Sequence, residues 1–470
     1  MVVDGVDVLI AGGVVALVVA VSAAVVETGG RGASGSVAAT ASSSGCEEAE
    51  VQDARRIVNA AQAAIDTKRM RRIVGTAREQ PVCHSGPLPS RCLPSPAMAV
   101  SDVYLHEFSE PLGYLDFAAI GPPSRRVRTA VTDAYGRVSE PDGPIGPSLL
   151  GAYEAALGTA GRFLGVAPEL VTVVPSTSTG LFRVAFGLAP FGGNIVVPSH
   201  EFPANIYPWL RAAGMGGPEI RMVDIPDRRV TAGALSDAVD DETRAIAVSS
   251  VDYLSGFRPD LVALRELADD GLLVVDAIQG LGAVEFSSNP ADVIVAGGQK
   301  WLRSGFGSGL LAFSRRSIDM LHPTLTGWWG VENSFDWDTL PPHTARSDAE
   351  MFQDGGPPLF GAFALAAAIE IIEAEGMGTI HASVMENVKA IEESVRTVGG
   401  EILEPWDTDE ERSGILSFRM PGVPAEATVQ RLADAEVVAS LRSGWVRVAP
   451  HASTDLAVTE VLSEVLDVGR

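Results

Sequence analysis

The sequence predicts an α/β fold with a mostly parallel sheet. Between residues 171 and 314, short apolar runs of strand length alternate with segments of helical length and spacing. The runs at 194–198 and 272–275 are almost wholly apolar, as expected for strands that are buried on both faces of a parallel sheet. Because such strands are connected through helices, we expect helices on both faces of the sheet.

The size and charge of the chain limit the classes of protein it can be. Its 470 residues are enough for a large core and more than one domain, and 46% of them are apolar. The net charge is −25, with 60 acidic residues against 35 basic ones. Because a nucleic-acid surface needs a basic face, we expect no nucleic-acid partner and predict a soluble acidic protein.

Residues 1–100 are predicted to be an N-terminal extension. Residues 8–26 are uncharged and apolar, with about the length that spans a bilayer. Asp4 and Asp7 precede them, so the basic start of a signal peptide is missing. Two alternatives follow: a membrane anchor that leaves the later chain in the cytoplasm, or a translation start assigned too far upstream. We favour the second and expect a cytoplasmic protein, with low-complexity, disordered sequence after residue 26.

All three cysteines lie in this extension, at Cys46, Cys83 and Cys92. An odd number at irregular spacing is neither a disulfide framework nor a zinc site. The chain from residue 93 to its end contains no cysteine, which limits the chemistry available to a site there.

The first elements of the body are two helices and a strand–helix unit. Helices are predicted from about Ser124 to Ser139 and from about Leu149 to Leu164, with a loop rich in Pro and Gly between them. A β-branched run at 171–174 then leads into 176–180, where hydroxyl residues precede helical spacing. Such residues cap a helix and leave backbone N–H groups free for an anion. An ordinary helix cap is the alternative.

The remaining elements follow the same reasoning. Further strands are predicted at 219–223, 244–249 and 307–314, and further helices at 261–269, 360–375 and 380–398. We expect a large domain at 103–375 and a smaller α+β domain at 376–470. The stretch 326–360 is rich in aromatic residues and glycine and lacks regular periodicity, so it is predicted to be a long functional or interface loop.

The chain is organised around residues 272–301. Asp276 ends an apolar run, and Gln279 follows three residues later. A second apolar run at 292–296 is followed by two glycines and then by Gln299 and Lys300. Ligands of open α/β sheets bind beyond the carboxyl ends of the strands. We therefore expect Asp276 and Lys300 at one edge of the sheet.

An acid and a lysine at one sheet edge have a chemical use. Pyridoxal phosphate needs a lysine amine for a Schiff base and an acid to pair with its pyridinium nitrogen. Asp276 is the candidate acid and Lys300 the candidate amine, and Gln279 can donate to the phenolate oxygen of the ring. The alternative is a buried aspartate at the end of a strand and a lysine that faces solvent.

The sequence VDAIQGLGAV followed by AGGQKW resembles the class V aminotransferase family, which includes cysteine desulfurases, kynureninase and isopenicillin N epimerase. The resemblance begins near Val103 and does not cover the extension. It implies the fold type I of pyridoxal-phosphate-dependent transferases: a large domain with a mostly parallel seven-stranded sheet, and a small α+β domain. It also implies a homodimer, in which Gly327 and Trp328 lie near the cofactor phosphate of the neighbouring subunit.

The resemblance further implies roles for individual residues. Thr177 and Ser178 match the phosphate-binding turn, and Phe202 matches the ring that stacks on the pyridine face. Gln299, directly before the lysine, belongs to the cofactor site. Arg447 matches the arginine that binds the substrate carboxylate, which a guanidinium holds through two parallel hydrogen bonds. Arg442 is a second candidate for binding this carboxylate, although we favour a structural ion pair for it. His200 is assigned a structural role as a loop residue.

These residues predict a pyridoxal-phosphate-dependent enzyme that acts on an α-amino acid by transamination, epimerisation or lyase chemistry. A desulfurase that forms a persulfide needs a cysteine shortly before the carboxylate-binding arginine, and residues 438–447 contain none. Phe202 and Gln299 stand where cysteine desulfurases carry histidine. We therefore exclude a cysteine-persulfide desulfurase. The alternative function is a catalytically silent binding or scaffold protein that keeps the fold.

Overall fold

The computed structural model describes residues 6–11, 14–19 and 99–467, apart from residues 142, 286, 337 and 340. The chain divides into two compact units, Met1–Cys92 and Leu93–Arg470. In the first unit, β1 (Val6–Ala11) and β2 (Val14–Val19) form an antiparallel pair. The described parts of the apolar stretch 8–26 thus lie in strands, and its remainder, the low-complexity sequence and the three cysteines lie outside the described residues. No helix in the described ranges is long and apolar enough to cross a membrane.

The second unit alternates helices with strands. Its strands are β3 (Val171–Val173), β4 (Asn194–Pro198), β5 (Glu219–Val223), β6 (Thr243–Ser249), β7 (Leu272–Asp276), β8 (Val293–Gly297), β9 (Gly309–Phe313), β10 (Glu401–Ile402), β11 (Leu416–Arg419), β12 (Ser440–Arg442) and β13 (Trp445–Val448). Its helices are α1 (Asp102–Leu105), α2 (Arg125–Ser139), α3 (Ile145–Leu164), α4 (Thr177–Leu188), α5 (Tyr207–Ala213), α6 (Ala232–Leu235), α7 (Leu261–Ala268), α8 (Arg315–Met320), α9 (Leu359–Glu375), α10 (Met377–Thr397), α11 (Ala425–Asp434) and α12 (Val458–Leu466).

Seven of these strands form one sheet in the order β3-β9-β8-β7-β6-β4-β5. The five strands from β8 to β5 are parallel, and β9 is antiparallel to both of its neighbours. The mostly parallel sheet that the sequence pattern predicts, and the seven strands that the family resemblance implies, are therefore confirmed. Since β7 and β8 are adjacent and parallel, the segments that follow them leave the sheet at the same edge.

Both faces of this sheet are covered, as the apolar runs predict. Along β7, Leu273 and Val275 belong to one hydrophobic core, and Leu272 and Val274 belong to the other. This division follows from the period of two residues in a strand, which sends successive side chains to opposite faces. Each such fully buried side chain contributes about 1.5–3 kcal/mol, so burial on both faces stabilises the central strands.

The other four strands form an antiparallel sheet in the order β10-β11-β13-β12. One of its faces packs with α10, α11 and α12 in a third apolar core. The opening segment of the unit is tied to this sheet, because Tyr114 bridges Val438 and Asp116 bridges Ala449. Asp116 is thereby held beside the last strands, more than three hundred residues away in the sequence.

One predicted boundary is wrong by four residues. The helix α3 begins at Ile145, whereas the sequence predicts a loop at residues 140–147 and a helix from about Leu149. Pro147 lies in the first turn of α3, where proline is tolerated because its missing N–H would have no partner within the helix. A proline is therefore a weaker sign of a loop near the start of a helix than elsewhere.

The described residues of the segment 321–358 form short turns, including Trp328–Gly330 and Ala349–Phe352, and an isolated bridge between Val331 and Ala345, as the irregular sequence predicts. Glu350 anchors it, since this buried carboxylate accepts hydrogen bonds from the hydroxyls of Tyr153 (2.8 Å) and Thr172 (2.6 Å) and from the Trp329 indole. Loops are otherwise the mobile parts of a fold, so a buried anchor of this type fixes the segment against the body.

Candidate active site

Asp276 and Lys300 lie at the same edge of the seven-stranded sheet. Asp276 is the last residue of β7, and Lys300 follows the end of β8 by three residues. The Asp276 side chain is only 2% exposed, and its Oδ1 accepts a hydrogen bond from the Ile278 N–H (3.0 Å). The two charges are close enough that each shifts the pKa of the other. The structure thus brings together the acid and the amine that the sequence selects.

Burial changes the acid–base behaviour of both groups. It raises the pKa of Asp276 to about 6, against the opposing effect of the Ile278 N–H and the Lys300 cation. It lowers the pKa of Lys300 to about 8, while the Asp276 carboxylate raises it and the charges of Arg447 and Arg442 lower it further. A lysine with this pKa has a substantial unprotonated fraction near neutral pH, which makes its amine available as a nucleophile or base.

The Phe202 ring lies next to this lysine. The Lys300 Nζ is 5.5 Å from the centroid of the Phe202 ring, and 44% of the residue is exposed. The ring meets the Tyr253 ring edge-on, with 5.5 Å between centroids. A flat ligand that reaches the lysine amine therefore meets an aromatic face that is only partly covered by protein.

Glu201 holds the Phe202 loop in place, and the sequence analysis missed it. Its buried carboxylate accepts hydrogen bonds from the Ser249 N–H (2.6 Å) and the Ser249 hydroxyl. Ser249 is the neighbour of Asp276 in the parallel register of β6 and β7. Burial raises the pKa of Glu201 to about 7, and the nearby Asp276 charge adds to this effect. An acid directly before the predicted stacking residue was the available signal.

The N-terminus of α4 faces the same region. Thr177 is its first residue, and its buried hydroxyl accepts a hydrogen bond from the Gly297 N–H at the end of β8 (2.8 Å). Ser176 is the cap, accepting from the Thr179 N–H (3.1 Å). In the described part of the chain, the N–H groups of Thr177 and Ser178 form no hydrogen bond. Free N–H groups at the start of a twelve-residue helix can bind an anion.

The side chains of Gln279 and Gln299 contact residues of the loops around Lys300. The Gln279 amide is buried, donates to the Ala118 carbonyl (3.0 Å) and accepts from the Trp301 indole N–H (2.9 Å). These two contacts bind the Gln279 amide to the protein. One N–H of the amide is left over and is available to a ligand. Gln299 folds back over Gly297, where an added Cβ would collide with its Oε1. A larger residue at position 297 would require the Gln299 side chain to move.

Arg447 lies on β13 and is only 2% exposed. Its guanidinium donates to the Tyr253 carbonyl (2.8 Å), to Asp116 Oδ1 (3.3 Å) and to the Ser440 hydroxyl (3.2 Å). Its buried Nε has no partner among the described residues. The predicted carboxylate-binding arginine therefore already has an acidic partner in Asp116, which the sequence analysis missed, and keeps an N–H group for a ligand.

His200 and Arg442, the two residues for which a structural role was favoured, differ in outcome. His200 lies in the loop before Phe202, with its Nε2 4.0 Å from the Asp252 carboxylate, which fits a structural role. Arg442 donates to the Leu441 carbonyl (2.8 Å) and forms no ion pair with the carboxylates that the structure describes. The ion pair expected for Arg442 is thus not formed with any carboxylate among the described residues, whereas Arg447 on the neighbouring strand pairs with Asp116.

The residues at this edge fit pyridoxal phosphate in their chemistry. The Asp276 carboxylate is buried with a single backbone donor, so a cationic ring nitrogen would stabilise its charged form. Lys300 supplies an amine, Phe202 a ring face, and the start of α4 free donors for a phosphate. A small aromatic ligand with a cationic nitrogen and an anionic arm would satisfy all four.

Comparison with known proteins agrees with this fit. The profile of the family described as Aminotransferase class-V matches residues 114–456. An uncharacterized aminotransferase, YcbU, of Bacillus subtilis is 26% identical over 297 residues, covering 62% of this chain and 76% of that protein. A probable cysteine desulfurase of Methanothermobacter thermautotrophicus is 27% identical over 343 residues, covering 70% and 83% of the two chains.

Solved structures share the fold. An apo cysteine desulfurase from Thermococcus onnurineus superimposes with a TM-score of 0.69 at 23% identity, over 76% of this chain and 94% of that chain. A C-DES mutant with glycine covalently linked to its pyridoxal phosphate cofactor gives a TM-score of 0.69 at 18% identity, over 76% and 97%. Because the family profile covers most of the second unit and that unit has the fold and the lysine–aspartate pair expected, this chain belongs to the class V aminotransferase family of pyridoxal-phosphate-dependent enzymes.

Proposed function

We propose that this enzyme acts on an α-amino acid, with Lys300 as the residue that carries the cofactor. The convergence of Asp276 and Lys300 at one sheet edge, next to the Phe202 ring, carries this proposal. Asp276 pairs with the ring nitrogen and Arg447 binds the substrate carboxylate. The remaining cofactor contacts are assigned to Thr177, Ser178, Phe202, Gln279 and Gln299.

Each of these residues has a defined task in the reaction. Pyridoxal phosphate supplies an electron sink for negative charge that develops at the α-carbon of the substrate. Lys300, with its lowered pKa, takes a proton from that carbon and returns one to the same or another atom. Asp276 keeps its negative charge beside the ring nitrogen, which preserves the sink. Arg447 fixes the substrate so that the α-proton lies within reach of the lysine.

Transamination, epimerisation and elimination all begin with this proton removal, and they differ in where the next proton goes or which bond breaks next. The residues described so far serve the shared first step. We therefore propose this group of reactions together, and the fate of the amine distinguishes them: transamination keeps it on the enzyme, whereas elimination releases it with a keto acid.

We propose further that the enzyme does not carry sulfur on a cysteine of its own, although several relatives are named cysteine desulfurases. Those relatives are 25–28% identical, which leaves the reaction open. The chain has no cysteine after Cys92, and none between Val438 and Arg447. Phe202 can stack on a ring, but unlike histidine it cannot move a proton. A variant with all three cysteines changed to serine is expected to keep full activity.

Attachment of the cofactor tests the central assignment. The chain has only three lysines, Lys68, Lys300 and Lys389, so a modified lysine can be assigned by peptide mapping. Purified protein is expected to absorb near the visible edge after addition of pyridoxal phosphate, and borohydride is expected to fix the label on Lys300. The Lys300→Ala variant is expected to lose the label and Lys389→Ala to keep it. A label on another lysine, or protein that stays colourless with added cofactor, would overturn the proposal.

A homodimer is proposed as the active assembly. Trp328, in the segment that the family resemblance associates with the neighbouring subunit, is 46% exposed, which leaves a large apolar ring partly in water. Light scattering of the purified protein at several concentrations tests this directly. A stable monomer with full activity would rule the dimer out.

A further inference from the structure

Two arginines lie on the same face of the small antiparallel sheet. In the register of β12 and β13, Ser440 is opposite Arg447 and Arg442 is opposite Trp445. Residues directly opposite each other in an antiparallel pair point to the same face, and so do alternate residues of one strand. Arg442 and Arg447 are therefore diagonal neighbours on the face that carries Ser440. The opposite face of β13 carries Val446 and Val448, which are buried in the apolar core.

The charges on this face do not balance. Arg447 is paired with Asp116, and Asp116 also accepts the hydroxyl of Ser440 (2.7 Å), so this acid is occupied. Arg442 is half-buried, and among the described residues its guanidinium has one partner, the carbonyl of Leu441. One acid thus faces two cations in a chain that has 25 more acidic than basic residues. An arginine that lacks an acidic partner among the described residues, beside a second arginine next to a site, creates a local attraction for anions.

The positive charge of the two arginines acts on the Lys300 amine. The positive charges of both Arg442 and Arg447 lower the pKa of Lys300, so both act on the amine that meets the substrate. Arg447 is assigned to the substrate α-carboxylate, which leaves Arg442 for a second anionic group. Guanidinium suits such a role because it offers two parallel N–H donors to a carboxylate or sulfonate.

We propose that Arg442 is a specificity-determining residue that binds the acidic side chain of the substrate, so that the enzyme selects amino acids with a second negative group. The proposal rests on the proposed function, in which Lys300 carries the cofactor and Arg447 binds the α-carboxylate. It adds the substrate class: α-amino acids with a side-chain carboxylate or sulfonate, in preference to their uncharged amides.

Ligand binding without turnover gives the first test. Dicarboxylates that lack an amine, succinate and glutarate, are compared with butyrate and valerate by calorimetry on the cofactor-loaded protein. The wild type is expected to bind the dicarboxylates about tenfold more tightly, a preference that the Arg442→Gln variant is expected to lose. Arg419→Gln is the matched control. Arg419 lies in the same row across the small sheet, over the Trp445 ring, but is paired with Glu401 (2.8 Å). This control is expected to keep the preference.

The reaction itself gives the second test. Aspartate, glutamate and cysteate are compared with asparagine and glutamine by the change in cofactor absorbance under single-turnover conditions. Arg442→Gln is expected to lower kcat/KM for the acids about tenfold and to leave the amides nearly unchanged, whereas Arg447→Gln is expected to impair both groups. The relative loss for carboxylate and sulfonate substrates identifies which acid the site prefers.

The outcomes separate this inference from the proposed function. Equal use of glutamate and glutamine by the wild type, or an equal loss of both in Arg442→Gln, overturns the role of Arg442 and leaves Lys300 and Arg447 in place. No reaction with any amino acid would overturn the proposed function and this role together. Should Arg442→Gln fail to retain cofactor, Arg442→Lys decides, because it keeps the charge and loses the paired donors. A wild-type preference in that variant argues against the proposal.

Discussion

The guanidinium of Arg303 stacks on the ring of Phe108, with its Cζ 3.5 Å from the ring centroid. Arg303 follows Lys300 by three residues and is buried, with a hydrogen-bonded ion pair to Glu110 (2.6 Å) and a hydrogen bond to the Ser453 hydroxyl (2.7 Å). Its φ of 57° lies in the left-handed region, which is unfavourable for a residue other than glycine. The loop that carries Lys300 is therefore held by contacts to both the opening and the closing segments of the unit.

Substitutions at Arg303 separate the stability that its side-chain contacts contribute from the conformational cost of its left-handed backbone. Arg303→Ala leaves the Glu110 carboxylate buried without its partner, so we expect a loss of about 3–5 kcal/mol in the free energy of unfolding. Arg303→Gly loses the same contacts but removes the left-handed cost, so it is expected to be more stable than the alanine variant by about 1 kcal/mol. Urea denaturation measures both.

A surface ion pair provides the control for this comparison. Arg162 pairs with Glu373 (2.8 Å) on the surface, and Arg162→Ala is expected to cost about 1 kcal/mol or less. If the glycine variant at 303 proves less stable than the alanine variant, the left-handed backbone at this position does not cost stability.

Glu201 predicts a dependence of stability on pH. Burial raises its pKa in the folded state from 4.5 to about 7, so between these values the folded protein binds a proton that the unfolded chain has released. Stability falls with rising pH wherever the folded state binds more protons. Glu201→Gln cannot ionise, so between pH 5 and pH 8 the wild type is expected to lose about 2 kcal/mol of unfolding free energy relative to this variant.

Chemical denaturation of the two proteins at both pH values tests this prediction. Glu373→Gln, at an exposed acid, is the control and is expected to change little between the two values. Wild-type stability that rises relative to Glu201→Gln over the same range would show that the carboxylate is ionised in the folded state, and the assigned hydrogen bonds to Ser249 would then stabilise the charge.

The sequence predicted the strands of the large sheet and the position of Asp276 and Lys300 at one edge of it, but not the strands of the small sheet or the partners that hold these residues. Strands at 194–198 and 219–223 have the predicted bounds, because local apolar patterns and the two-residue period determine them. Asp276 and Lys300 could be assigned to one edge because parallel strands end there. Asp116 and Arg303 could not be given their roles, since their partners lie 331 and 193 residues away and tertiary packing alone brings them together.

The reactivity of Lys300 is predicted to report the charges around it. With a pKa of about 8, its amine becomes largely unprotonated between pH 7 and 9, so labelling of cofactor-free protein by an acylating reagent is expected to rise over this range. Asp276 raises the pKa of the lysine, so Asp276→Asn is expected to shift the half-point of labelling to lower pH. Mass spectrometry of the peptide that contains Lys300 measures it, with the Lys389 peptide as the reference. An unchanged half-point in Asp276→Asn would show that the two charges do not interact.

Asp116 is predicted to compete with the substrate for Arg447. Its Oδ1 lies 3.3 Å from the arginine Nη2, and Ser440 fixes the carboxylate by donating to it. A ligand carboxylate must bind Arg447 in the presence of this negative charge, so Asp116→Asn is expected to tighten the binding of butyrate about threefold to tenfold, while the loss of a buried ion pair lowers stability by about 3 kcal/mol. Calorimetry measures the affinity for butyrate, and urea denaturation measures stability on the same preparation. The control is Asp409→Asn, which removes an exposed acid paired with Lys389 and is expected to change affinity and stability only slightly. Opposite signs for affinity and stability are the signature of competition. If Asp116→Asn binds butyrate more weakly, Asp116 orients the guanidinium for the ligand, and Arg447 receives the substrate carboxylate with its acidic partner in place.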